Sequence, residues 1–372
     1  MYLNEEKSNE IQSKDSVNSN SIHISNFPIK SIDNRKPIRT KKTEKKGFFE
    51  SHEREISLRE THDYILKLVI SPFIKNPNIE TMTGMPTLSG YQLFACDPFH
   101  EEGNKNFDCL IYKKDSKKVV LVFIEVKTGS NSNTILMEFK EKCEEVKRYE
   151  SKIEEIFDGP ENLFYEHVLC VDSMTVDSLK PVFEKEALSS NYKMILWQIG
   201  SLQPIKKLKL ICPSEAIQSK YAYKLIHGEN KFNNYLRKGI DLVGEGPINF
   251  FPLSHPVTKL KAFLIFIKSK KALNKIEGET HQYFFTDKDL REYCDYQLLN
   301  QSQNFKNEVF NELIQLILKI GLVKKFGEGY TINEQYQNRS LRADKIEKLW
   351  VESKFQDKIY KKSNEMSMDK YV

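Results

Sequence analysis

From Phe48 onward the apolar positions fall into a helical rhythm. Ile56, Leu58, Tyr64, Ile65, Leu68 and Val69 recur near the spacing of helical turns, which predicts an amphipathic helix over about residues 51–70 that stops before Pro72. The rhythm then shortens. Residues 91–95, 107–112 and 119–126 read as strands, and the polar KKDSKK between the last two reads as a hairpin turn. A long charged helix follows over about residues 134–157, closed by Asp158, Gly159 and Pro160. Residues 167–171 then predict a buried strand, 176–188 a helix and 194–199 another strand. The order strand, strand, strand, helix, strand, helix, strand predicts an α/β fold, a mixed central sheet flanked by helices.

The second half reads differently. Residues 213–239 predict one or two connecting helices, and GEGPINFFPLSHP around residues 244–256 marks a domain boundary. Beyond it come a helix over 259–273, a short strand over 282–285, and a helix opened by Thr286 and Asp287 and running through Tyr296. A further helix over 305–320 ends at Gly321, and Leu322 to Ile332 pass through the turn FGEG as a hairpin. This order of elements over residues 257–333 resembles a winged helix-turn-helix. The organisation expected is a polar, basic, disordered tail over 1–47, an α/β core over 48–212, a helical linker over 213–256, a mainly helical winged-helix-like domain over 257–333, and a C-terminal helix and tail over 334–372.

Composition supports a folded, soluble chain. Of 372 residues, 39% are hydrophobic and 29% charged, too apolar for a disordered protein, while no apolar run reaches the ~18–20 residues of a membrane span. The polar, acidic start MYLNEEKSNE is unlike a signal peptide, so a cytoplasmic location is expected. The six cysteines, at positions 96, 109, 143, 170, 212 and 294, form no Cys-x-x-Cys or Cys/His cluster and read as reduced, mostly core thiols. The net charge of +5 is too slight to demand a polyanion partner. Residues 30–46, however, carry eight basic residues against two acidic ones, which suits a solvated tail or a nucleic-acid-binding arm.

Candidate chemistry centres on NFDCLIYKKDSKKVVLVFIEVKTG. Asp108 lies on one strand and Glu125-Val126-Lys127 ends the next. As a string, acidic-x-Lys is common here, with eight further instances, but only this one closes an unbroken apolar strand. Alternation along a strand points residues 125 and 127 to one face. A hairpin turning around Asp115 and Ser116 would set Asp108 opposite Phe123 on that same face, whereas a one-residue slip would reverse it.

This arrangement resembles the PD-(D/E)xK nuclease superfamily, whose core is restriction-endonuclease-like or Holliday-junction-resolvase-like. The resemblance implies a Mg²⁺- or Mn²⁺-dependent endonuclease acting on DNA in restriction, defence or recombination, working as a homodimer where two strands are cut. Asp108 and Glu125 would be the metal ligands and Lys127 the catalytic lysine, with an acidic residue from the first helix, Glu60 or else Glu55, completing the site. Glu145 and Tyr149 match the spacing of the family's Gln-x-x-x-Tyr helix with Glu in place of Gln, and Phe107 stands where the family's proline would be. In the winged-helix-like module, Lys306, Lys324 and Lys325 are the expected DNA contacts.

The alternatives are a noncatalytic winged-helix DNA-binding or assembly protein with a nuclease-like scaffold, and an RNase of the same fold. His62, His100 and His227 lack partners at metal-ligand spacing and read as surface or satisfied core positions. No phosphate-binding GxxxxGK[ST] loop, GxGxxG turn or Gly-x-Ser-x-Gly elbow is present.

Overall fold

A computed structural model describes residues 41–74, 90–99, 106–115, 118–129, 131–157, 163–202, 205–211, 214–220, 230–242, 248–277, 282–337 and 342–368. The chain opens with α1 (Lys41–Ile70), which ends in a short 3-10 turn (Ser71–Phe73) carrying Pro72. Three antiparallel strands follow, β1 (Gln92–Cys96), β2 (Cys109–Asp115) and β3 (Lys118–Lys127). The chain continues through α2 (Ser132–Val146), α3 (Glu150–Ile156), β4 (Leu163–Asp172), α4 (Ser173–Ser189) and β5 (Met194–Leu202), with β3, β4 and β5 parallel. Two short antiparallel strands, β6 (Ile205–Leu210) and β7 (Ile240–Leu242), complete a seven-stranded mixed sheet in sequential order, with α5 (Glu215–Lys220) and α6 (Asn230–Lys238) between them. The expected α/β class and the strand and helix order through β5 are present.

The apolar run of β3 has a direct cause, because both faces of the sheet are covered. Val120, Val122, Ile124 and Val126 join a core with Leu66 and Val69 of α1 and Phe232 and Leu236 of α6. Val119, Leu121 and Phe123 face the other way, toward Ile135 and Phe139 of α2 and Leu179 and Phe183 of α4. Of the cysteines, 96, 109, 143, 170 and 294 are buried free thiols, while Cys212 lies outside the described residues.

The described parts of residues 213–242, expected as a linker, belong to the sheet and its cover. β7 pairs with β6, and Phe232 and Leu236 are wholly buried under the sheet. β6 escapes the sequence pattern because IKKLKL is short and half lysine, as suits a strand near a sheet edge. The stretch read as a boundary is likewise a junction: Ile248 and Phe251 enter the sheet core, and Phe250 enters the C-terminal one.

That second core gathers α7 (Pro256–Ile276), α8 (Asp287–Gln297), α9 (Gln303–Lys319), the hairpin of β8 (Val323–Phe326) and β9 (Gly329–Ile332), then α10 (Glu334–Gln337) and α11 (Ala343–Met368). Thr286 caps α8 as expected, and Asp289 completes a capping box with it. The strand expected over 282–285 reduces to a single bridge between Phe285 and Tyr330. Helix α1 begins ten residues before its predicted start, because Phe48, Phe49 and Ile56 pack into this second core while Leu66 to Ile70 pack under the sheet. Residues Lys45–Val372 thus form one compact unit. Residues 1–40, which hold most of the expected disordered tail, lie outside the described residues.

Candidate active site

The β2–β3 pairing decides where the carboxylates fall. Cys109 pairs with Ile124 and Asp115 with Lys118, so the register continues to Asp108 opposite Glu125. The expected partner was Phe123. A two-residue difference preserves the face, since side chains alternate with period two. Asp108 sits just before β2 begins, and its Oδ2 accepts the Val126 amide at 2.6 Å.

Glu125 is 1% exposed. Lys127 Nζ lies 3.0 Å from its Oε1, and Lys142 Nζ of α2 donates to its Oε2 at 2.5 Å. Lys127 also donates to Glu138 at 2.7 Å. Burial, reinforced by the nearby Asp108 charge, pushes the Glu125 pKa up to about 7 against the pull of the two lysines. Burial alone would lower the Lys127 ammonium, but Glu125 and Glu138 outweigh it and keep the pKa above the ordinary lysine value.

On the other side of Asp108 stands His62 of α1, its Nε2 3.4 Å from Asp108 Oδ2 and its Nδ1 3.7 Å from Asp63 Oδ1. Burial opposes charge on the ring, yet Asp108 and Asp63 prevail and raise the His62 pKa to about 10. Burial also disfavours ionised Asp108, but His62, Lys142 and the Val126 amide hold its pKa below the usual carboxylate value. Asp97, at φ 45°, is buried beside this group, and burial and the Asp108 charge push its pKa up to about 8 although the Leu253 amide hydrogen bonds to it. Ser254 Oγ donates to Asp63 at 2.6 Å and Gln301 Nε2 to the Cys96 carbonyl at 2.6 Å, so residues of the C-terminal half buttress the cluster directly.

The structure therefore brings Asp108, Glu125 and Lys127 together and sends the other expected residues elsewhere. Glu60 is paired with Lys261 of α7, and Glu55 is exposed. The first-helix residue that reaches Asp108 is His62, in place of the surface or satisfied core position expected for it; His100 and His227 lie outside the described residues. The signal was available in helical spacing, because 62, 66 and 69 share one face and Leu66 and Val69 are core residues, whereas Glu60 lies about 200° around from His62. Glu145 accepts hydrogen bonds from Arg148 and Tyr149, and Tyr149 stacks on Phe99. The α2 side chains that meet Glu125 and Lys127 are Lys142 and Glu138, one turn apart. Lys324 is paired with Glu334 at 2.5 Å, Lys325 is exposed, and Lys306 is half-buried on the first turn of α9.

Among the described residues no three His, Cys, Asp or Glu side chains assemble into a metal-binding group. The donor chemistry of the carboxylate pair nevertheless fits a hydrated Mg²⁺, which binds through one or two carboxylates and keeps several waters. Asp108 and Glu125 stand opposite each other at the end of the strand pair, and burial first, with the Asp108 charge second, raises the Glu125 pKa. Compared with known proteins, the chain matches no family model, no curated protein and no solved structure.

Proposed function

We propose that this chain is a divalent-cation-dependent nuclease that hydrolyses phosphodiester bonds in DNA, with a restriction-endonuclease-like core and a winged-helix-like C-terminal module. The observation that carries the reading is the convergence of Asp108, Glu125 and Lys127 at the end of the β2–β3 pair, with Glu125 buried and its pKa raised beside Asp108. Asp108 and Glu125 would hold Mg²⁺ or Mn²⁺, which when bound lowers the pKa of a coordinated water and offsets charge on the phosphate. Lys127, kept protonated between Glu125 and Glu138, is a fixed positive charge suited to orienting the attacking water or offsetting the transition-state charge. His62 keeps Asp108 ionised.

The C-terminal elements support a DNA-facing role by their order and by the Phe285–Tyr330 bridge, which lays a third extended segment against the β8–β9 hairpin. Helix α9 would take the recognition position. Its Phe305, Val309, Phe310, Leu313, Ile314 and Ile317 are spent on the core, so phosphate contacts fall to Lys306 at its start and to Lys324 and Lys325 on the hairpin.

A second reading, a noncatalytic DNA-binding or assembly protein on the same scaffold, is favoured by one observation: both oxygens of Glu125 are already held by ammonium groups. The deciding experiment incubates the purified full-length chain with plasmid, linear duplex, single-stranded and branched DNA, and with RNA, in Mg²⁺, Mn²⁺ or EDTA. The nuclease reading expects DNA cleavage that EDTA and Asp108→Asn both stop. DNA binding without cleavage in either metal would favour the scaffold, and cleavage confined to RNA would make the chain an RNase.

A further inference from the structure

A cavity of about 220 Å³ opens between the helical stretch 143–150, the first half of β4 and the segment 191–193 that leads into β5, lined by Lys147, Glu150, Tyr165, His167, Tyr192 and Lys193 among others. His167 is 3% exposed, and neither of its ring nitrogens has a hydrogen-bond partner among the described residues; the Tyr165 hydroxyl is also buried and unpartnered. Leaving such groups unsatisfied costs stability, so the fold keeps them at a loss that a ligand would recover. Packing fixes the imidazole even so. It stacks on Phe123 at 5.9 Å and 18° and meets Tyr192 edge-on at 5.6 Å and 74°.

The chemistry offered is neutral and two-sided. Burial, against a smaller opposing pull from the Lys193 backbone, holds the His167 pKa down to about 4, so near neutral pH one ring nitrogen donates and the other accepts. Burial, with Glu150 and Glu154 nearby, raises the Tyr165 pKa to about 12 and keeps its hydroxyl protonated. Charged groups on the wall balance. Lys193 is paired with Glu166 at 2.7 Å, Lys147 lies over the Tyr192 ring at 5.0 Å, and an anion entering the cavity would meet Glu150 as well as Lys147. A volume below the ~300–1,000 Å³ of sites for drug-sized ligands limits the occupant to a single small ring system.

We propose that this cavity binds a nucleobase, a neutral heteroaromatic ring whose donor and acceptor edge meets His167 and Tyr165 within aromatic walls. The site does not depend on the nuclease reading, and a free nucleoside and a base of a nucleic-acid strand present the same edge. The test is an NMR titration of the full chain, with nitrogen-labelled histidine, using adenosine, cytidine, guanosine, uridine, a single-stranded oligodeoxynucleotide, and inorganic phosphate as control. The expected result is a shift of the His167 ring nitrogens with at least one nucleoside or with the strand, and an affinity about tenfold or more weaker in His167→Phe. Response to a nucleoside identifies the free base as sufficient; response to the strand alone identifies a base within a chain. Because His167→Phe removes an unsatisfied polar group at similar volume, that variant should melt no lower than the parent while losing the ligand. Should it melt early, Tyr165→Phe carries the same affinity readout. No ring-nitrogen response to any nucleoside or the strand, an equal response to phosphate, or unchanged affinity in both variants would overturn the proposal.

Discussion

Lys142 Nζ lies 2.5 Å from Glu125 Oε2, so the helix after β3 supplies a second ammonium to a carboxylate that Lys127 already holds from the strand. Removing it should unbalance the site in a defined direction. In Lys142→Met the Glu125 pKa rises further above about 7, because one of the charges opposing burial is gone. The alkaline pH needed for cleavage should rise with it, read from a pH–rate profile. Breaking this buried pair should also cost about 3 kcal/mol in urea denaturation at pH 8, and less at pH 5, where Glu125 can take a proton. An unmoved profile would show that ionised Glu125 does not limit the reaction.

Asp108→Asn keeps an oxygen for the Val126 amide while removing the charge. Cleavage should fall by about a hundredfold or more with the fold retained. The same variant should lower the pKa of His62, since the Asp108 carboxylate is a principal cause of its rise. Proton NMR of the His62 ring reports this separately from activity.

The His62 pKa rises from 6.5 to about 10 on folding, so the stability it contributes is fully present below pH 6.5 and is lost as pH climbs through 10. Asp97, raised to about 8, acts in the same sense but finishes earlier. Comparing thermal melts of the parent and His62→Gln from pH 6 to 10 should therefore show the gap narrowing toward pH 10. A constant gap would mean that the His62–Asp108 contact is not an ion pair in solution.

Lys324 and Lys325 test the C-terminal module. If they touch phosphates, replacing both with Ala should weaken DNA binding across sequences and make the salt slope shallower by up to about two. Lys324 must first leave Glu334, so Glu334→Ala alone should tighten binding. Unchanged affinity and slope would make the module a protein-binding or dimerisation element.

Gly329 marks a close approach. A Cβ built there would stand 2.4 Å from the Phe285 carbonyl oxygen and 2.8 Å from the Phe284 ring. Gly329→Ala should break the Phe285–Tyr330 bridge and destabilise the C-terminal core by about 1–3 kcal/mol, measured by urea denaturation.

The α/β order was legible in the chain because each of its signals is local. The apolar run of β3 between lysines, the N-cap Thr286 and the acidic-x-Lys at the strand end can all be read within a few residues. Alternation alone put Glu125 and Lys127 on one face, and the two-residue error in the β2–β3 register did no harm because strand faces repeat every two residues. What tertiary structure decided was which distant side chains arrive. His62, Lys142 and Asp97 come to the carboxylates from α1, α2 and the residue after β1, and Ser254 and Gln301 brace this group from the C-terminal half of the chain. The long α1 joins two cores that composition separates, and lysine-rich β6 becomes a strand only because β5 and β7 offer it partners. Local patterns report the periodicity of an element and the face on which a residue such as His62 sits, whereas the buried charge it meets there depends on how separate elements pack, which the spacing within any one element does not record.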